Sequence, residues 1–171
     1  MAMTTNQKPI VGILMGSDSD WGVMKKAASM LADFGIPFEA TVASAHRSPD
    51  KTAEYAQTAR SRGIKVIIAG AGAAAHLAGA IVAKTTLPVI GVPLNASSLN
   101  GLDALLATVQ MPSGVPVATM AIGSAGAKNA AIFAAQILAT TNPELEDRLE
   151  RFKKELAEQV TEKANALQEN L

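Results

Sequence analysis

The chain has 171 residues, the size of one domain with a single core, and its 49% apolar content excludes disorder. Aromatics make up only 4% while alanine fills 33 positions, so that core must be built from small aliphatic side chains that let backbones approach closely. Fifteen basic and fifteen acidic residues cancel, which argues against a nucleic-acid binder, and the absence of cysteine excludes thiol catalysis, disulfides and Cys-ligated zinc.

The elements alternate along the chain. Ile10 to Met15 reads as a buried strand, followed by a helix that opens at Asp20 or Trp21, repeats Val23, Ala27, Met30 and Phe34 at helical spacing, and stops at Gly35. Phe38 to Ala43 is a second strand. Ser48-Pro49-Asp50 supplies an N-cap, a proline at the first helical position and an acid in the first turn, so a helix starts there and runs to about Arg62. Lys65 to Ala69 is a third strand, with a helix near Ala73–Lys84. Pro88 to Val92, Leu102 to Val109, Val117 to Ala121 and Ala125 to Leu138 then read as strand, helix, strand and helix. Such alternation requires a parallel sheet covered on both faces, which predicts a three-layer α/β/α sandwich of flavodoxin or Rossmann type.

Charge is distributed unevenly. Residues 66–143 carry only Lys84, Asp103 and Lys128, whereas residues 144–171 hold 13 of the 30 charged groups. The uncharged run 66–83 is rich in Gly and Ala and contains His76, and Pro88, Pro93, Pro112 and Pro116 interrupt the later uncharged stretches, so no membrane span is expected. Burial of this region against other subunits is expected instead. Residues 1–8 lack the apolar region of a signal peptide and read as a short disordered lead, and the expected location is the cytoplasm. The α/β domain is expected over 9–141. Residues 142–171 read as a C-terminal helical arm, capped by Asn142-Pro143-Glu144, with a stripe of Leu145, Leu149, Phe152, Leu156 and Val160 that packs on the body or on a neighbouring subunit.

In an open parallel sheet, ligands bind beyond the carboxyl ends of the strands. The segments there are Gly16-Ser17-Asp18-Ser19-Asp20, Ser44-Ala45-His46-Arg47-Ser48, Gly70 to His76, and Gly123-Ser124-Ala125-Gly126. The first of these is either an ordinary helix cap or an anion site in which Asp20 accepts from sugar hydroxyls. An Asp-x-Asp magnesium site would need further acids on this edge, and 66–143 offers only Asp103. His46-Arg47 is the strongest local signal, because Arg forks onto phosphate and an imidazole transfers protons near neutrality. Gly70-Ala71-Gly72, with Ala75 in third place, fits the dinucleotide turn G-x-G-x-x-G/A. The acid expected about 20 residues further on is missing, which disfavours a dinucleotide-dependent oxidoreductase. His76 points either at a small ligand or into packing.

Together GSDSDW, SAHRSPD, IIAGAGAAAHLAG, GVP, QMPSGVPV and AIGSAGAKNAAIFAAQIL resemble the bacterial N5-carboxyaminoimidazole ribonucleotide mutases of purine biosynthesis, from about Ile10 to Leu149. The resemblance implies a flavodoxin-like homo-octamer with active sites between subunits. It also implies transfer of a carboxylate from the exocyclic N5 of a ribotide to C4 of its aminoimidazole ring, without metal, ATP or biotin. It makes His46 the acid/base, sets Ser17, Ser44 and Arg47 around the ribotide phosphate and Asp20 against the ribose, and counts Ala45 among the substrate-binding residues. Backbone of Ala71, Gly72, Ala73 and Ala74, with His76 and Leu77, lines the place for carboxylate or carbon dioxide, and QMPSGVPV forms a loop over the site. The chain departs from the usual GAGGAAHLPG at Ala73 and Ala78, and carries Ser113 where Arg or Gly is common. Two other functions stand beside this one: a non-catalytic ribotide-binding module, which would have no use for His46, and an aminoimidazole ribotide carboxylase using carbon dioxide directly, whose relatives carry Lys after the His.

Overall fold

The computed structural model describes residues 8–170. Of the expected lead, all but Lys8 lies outside the described residues. Two compact units divide the chain at Ala134 and Ala135.

The first unit is built on five parallel strands, β1 (Val11–Met15), β2 (Phe38–Val42), β3 (Val66–Gly72), β4 (Val89–Leu94) and β5 (Ala118–Thr119), in the order β2-β1-β3-β4-β5. This is the flavodoxin-type doubly wound order. Strand β1 sits between β2 and β3, with Val11 opposite both Phe38 and Val66, and Met15 opposite Val42 and Gly70. The inner strands β1, β3 and β4 are apolar on both faces because helices cover both. On one face Leu14, Ile67, Ala69 and Val89 pack with Ala56 and Ala59 of helix α2 (Pro49–Ala59) and with Leu77, Ala78 and Ile81 of helix α3 (Leu77–Val82). On the other, Met24 of helix α1 (Trp21–Asp33) presses so closely on Gly70 that a Cβ there would lie 2.4 Å from its sulfur. Helix α4 (Leu102–Val109) follows β4, and α5 (Ser124–Ala139) buries Ala127, Ala130, Ala131 and Ala134. The three-layer α/β/α fold results from these placements.

Three expectations need correction. The helix expected from Ala73 begins only at Leu77, and β3 runs on to Gly72. Between them Ala73 (φ 51°) and Ala75 (φ 36°) are left-handed, and Ala75 N–H donates to the Gly72 carbonyl at 3.0 Å, which makes a turn rather than a first helical turn. Helix α2 ends at Ala59 rather than near Arg62. Finally, β5 has shrunk to an edge of two residues, although Met120 N–H still donates to Gly91 O at 2.9 Å.

Helix α2 is tied to the edge strand by Tyr55, whose hydroxyl donates to Glu39 Oε1 at 2.7 Å while Arg62 pairs with the same oxygen and lies over the Tyr55 ring. Burial, reinforced by Glu39, pushes the Tyr55 hydroxyl well above its ordinary range, so it stays a donor. Glycine is required at position 12 because a Cβ would strike that hydroxyl.

The second unit, residues 135–171, holds the end of α5 and helix α6 (Pro143–Gln168). Asn142 caps α6 as expected, its side-chain oxygen accepting from Leu145 N–H at 3.3 Å. The helix continues well past the apolar stripe, with Leu145 buried and Leu156, Val160 and Leu167 exposed. Among the described residues, no helix is long and apolar enough to cross a membrane.

Candidate active site

The strand order reverses direction at β1, because the chain leaves it for β2 on one side and later returns to β3 on the other. A crevice opens there beyond the carboxyl ends, and the loops after β1, β2 and β3 line a pocket of about 380 Å³.

The loop after β1 is a capping box: Ser17 Oγ accepts from Ser19 N–H at 3.4 Å and Asp20 Oδ2 accepts from Ser17 N–H at 3.0 Å. The capping and ligand readings of GSDSD are therefore compatible, since Ser17, Ser19 and Asp20 also line the pocket. Burial raises the Asp20 carboxyl above the ordinary carboxylate range. The N–H groups of Ser17 and Gly16 and the charge of Arg47 oppose that rise, and the charge of Asp18 adds to it.

The loop after β2 is closed by two serines. Ser48 was expected to cap α2, but its hydroxyl makes no cap bond; it accepts from Ser44 N–H at 3.0 Å and donates to Ser44 O at 3.1 Å. The reason is local: Ser48 N–H also donates to Ser44 O at 2.9 Å, so the chain turns back on itself and the hydroxyl meets the loop before it can meet the helix. That turn presents His46 and Arg47. Arg47 Nη2 donates to Gly16 O at 2.8 Å, and its backbone N–H donates to Ser44 Oγ at 3.2 Å.

The loop after β3 supplies the apolar wall, Ala71 to Ala75 with Leu77, and also His76. His76 is no passive helix-start residue. Its Nδ1 meets His46 Nε2 at 2.7 Å, with ring centroids 4.8 Å apart and planes at 78°.

The structure gathers His46, Ser17, Asp20, Ser44, Ala45, Arg47, Ala71, Gly72, Ala73, His76 and Leu77 around one cavity. Gly16, Ser19, Ala74 and Ala75, from the same segments, also line it. Ala96, after β4, is the wall residue that sequence reasoning missed. Its signal was Gly72: a Cβ on that glycine would lie 2.4 Å from Ala96 Cβ, so the two loops must approach at a glycine. The QMPSGVPV segment adds nothing to the lining within its own chain, and Met111 lies against Gly79 instead. Gly123 to Gly126 also stays outside the lining.

A flavodoxin-type sheet with an imidazole, a guanidinium and a serine-rich cradle at its reversal point defines a protein that handles a small phosphorylated ligand. The profile of the AIR carboxylase family matches residues 10–159, and the chain belongs to that family. It is 57% identical over 164 residues to the N5-carboxyaminoimidazole ribonucleotide mutase of Pyrococcus horikoshii, covering 96% of this chain and 92% of that one. With the enzyme of the same name from Bacillus subtilis it shares 56% over 160 residues, covering 94% and 99%. The crystal structure of Treponema denticola PurE superposes with a TM-score of 0.84 at 30% identity, over 93% of this chain and 98% of the other.

Proposed function

We propose that this chain is an N5-carboxyaminoimidazole ribonucleotide mutase, an isomerase of purine biosynthesis that yields 4-carboxy-5-aminoimidazole ribonucleotide. The observation that carries the reading is the convergence of His46, Arg47 and Asp20 on one pocket, with Ser17, Ser19 and Ser44 at its polar end and a wall mostly of alanine and glycine. The named mutases among its relatives, and an Arg rather than a Lys after His46, favour this reading over a carboxylase that takes up carbon dioxide directly.

Each part meets a chemical need. Protonation of N5 makes the carbamate C–N bond labile, and carbon dioxide departs. Ring C4 then attacks that carbon dioxide, and its own proton must leave. One proton is delivered and one recovered, so a single imidazole of His46 serves both half-reactions with no cofactor. Arg47, Ser17 and Ser44 hold the phosphate beside Ala45, and Asp20 accepts from the ribose. The apolar wall of Ala71, Gly72, Ala73 and Leu77 keeps carbon dioxide beside the ring.

The reading includes an assembly larger than a dimer, an octamer with sites between subunits, acting in the cytoplasm. Its support is the three charges of residues 66–143 and the exposure of Leu99 (61%), Leu102 (52%), Leu106 (49%) and Val109 (48%) on and before α4, an apolar face that another copy would cover. The exposed Leu156, Val160 and Leu167 add a second such surface on α6. Light scattering of the purified chain is expected to show the large assembly, and a stable monomer at micromolar concentration would rule it out.

The direct test is incubation with N5-carboxyaminoimidazole ribotide and no ATP. Appearance of the C4-carboxylated isomer is expected. Binding without conversion would favour the non-catalytic module, and product formed only from aminoimidazole ribotide and carbon dioxide would favour the carboxylase.

A further inference from the structure

The 2.7 Å contact between His46 Nε2 and His76 Nδ1 accommodates one proton: two facing lone pairs repel, and two facing N–H groups collide. A neutral pair can satisfy this in two ways. In the first, His46 Nε2–H donates to a bare His76 Nδ1, so His76 carries its own proton on Nε2 and the lone pair of His46 Nδ1 is free. In the second, His76 Nδ1–H donates, His46 carries its proton on Nδ1, and the only lone pair of His46 is already taken. Neither outer nitrogen, His46 Nδ1 or His76 Nε2, bonds to another group among the described residues.

Building on the mutase reading above, we propose that His76 is a positioning residue that locks His46 in the first arrangement, making His46 Nδ1 the one nitrogen that both gives and takes the proton. In the acid form His46 is an imidazolium whose Nε2–H is held by His76. Its Nδ1–H passes to N5 of the carbamate. The C–N bond then breaks with its electron pair left on N5, and carbon dioxide is freed. C4 bonds to the carbon of carbon dioxide, and the C4 proton moves to the bare Nδ1. One proton has left and one has returned, the bond between the rings has persisted, and His76 has stayed neutral. The second arrangement cannot complete this cycle, because its His46 lone pair faces His76 and not the pocket.

The other charged groups on the rim are Asp20, beyond β1, and Arg47, beside His46; beyond β3 and β4 the lining apart from His76 is alanine, glycine and leucine. Asp20 is engaged by Ser17 N–H, and Arg47 by Gly16 O and Ser44 Oγ. His76 is thus the group left to set the His46 tautomer.

The chain has only two histidines, so 15N-histidine labelling of the full chain reports on this pair alone. With the pair neutral, ring 15N spectra should show both rings protonated on Nε2 and bare on Nδ1. Both rings protonated on Nδ1 would overturn the proposal, whether or not the protein turns over. In kinetics, His76→Leu cannot accept from His46. It should lower kcat by roughly 10²-fold or more, as wrong-tautomer variants of oriented histidines do, with little change in KM. His76→Gln, whose amide oxygen accepts, should restore a substantial part of that loss. A His76→Leu variant with the wild-type rate also overturns the proposal. Failure of the wild-type chain to isomerise its substrate would instead count against the mutase reading, while the tautomer spectra decide this proposal on their own.

Discussion

Arg47 and Gly16 are joined across the crevice, the guanidinium Nη2 donating to the Gly16 carbonyl at 2.8 Å and so tying the loop after β2 to the loop after β1. A guanidinium has five N–H donors, so the tie leaves others for an anion in the pocket. Arg47→Ala should raise KM by an amount equivalent to about 2–5 kcal/mol, the usual result of removing one partner of a close ion pair. Sulfate should inhibit the wild-type chain competitively and the variant hardly at all. An unchanged KM would remove Arg47 from the phosphate site.

Ala73 sits at φ 51° on the pocket wall, in the place where the family pattern has glycine. The left-handed conformation costs an L-residue roughly 1–2 kcal/mol. Glycine avoids that cost but loses about 0.4–1 kcal/mol through its freer unfolded chain. Ala73→Gly is therefore expected to stabilise the protein by roughly 0.5 kcal/mol, near 1–2 °C in Tm. Ala74→Gly, beside it and not among the positive-φ residues, should destabilise instead. Thermal melts in which both changes had the same sign would show that the backbone at Ala73 is not strained.

The alternation of strands and helices was legible because each buried strand is a short β-branched run bounded by a turn, and the sheet edge followed from it. The segments that line the pocket were legible for the same reason: position beyond a parallel strand is a sequence property once the strands are placed. The local chemistry inside those segments was less so. Ser48 has the residue type and the Pro49 neighbour of an N-cap, yet its hydroxyl serves Ser44, a choice made by how the loop closes. The left-handed turn at Ala73 and Ala75 runs against alanine's own preference for helix, so a propensity reading carried α3 four residues too far. The pairing of His46 with His76 spans 30 positions and depends on β2 and β3 flanking β1, which no local pattern encodes.

Asp20 ties stability to pH. Its raised pKa means the folded chain binds the proton more tightly than the unfolded one, so its contribution to stability is greatest in acid. That contribution is lost as pH rises from the ordinary carboxylate value to the raised one. At neutral pH the half-buried carboxylate is a burden kept for binding. Asp20→Asn can still accept from Ser17 N–H and should melt above the wild type at pH 7, with the gap closing as pH falls from the raised value to the ordinary carboxylate value of about 4 and absent below it. Its affinity for the ribotide should fall, since an amide oxygen is the weaker acceptor for ribose hydroxyls. A melting difference independent of pH would place the effect in packing rather than in charge.

His46→Asn separates binding from chemistry. Asparagine keeps a polar planar group of similar reach, and the Ser44–Ser48 closure that shapes the loop does not involve the ring, so fold and assembly should be retained. Ribotide affinity should change little, because Arg47, Ser17 and Ser44 remain. What the amide cannot do is carry a proton near neutral pH. Removing a general acid–base group usually costs about 10²–10⁴-fold. The loss here should reach the top of that range, because one ring is asked to protonate N5 and then to deprotonate C4. Asp20 is occupied by Ser17. His76→Asn should cost less, since its amide oxygen can accept from His46. A His46→Asn variant that kept more than about a tenth of the wild-type rate would fall short of any acid–base role. If His76→Asn proved the more damaging change, His76 would be the ring that meets the substrate.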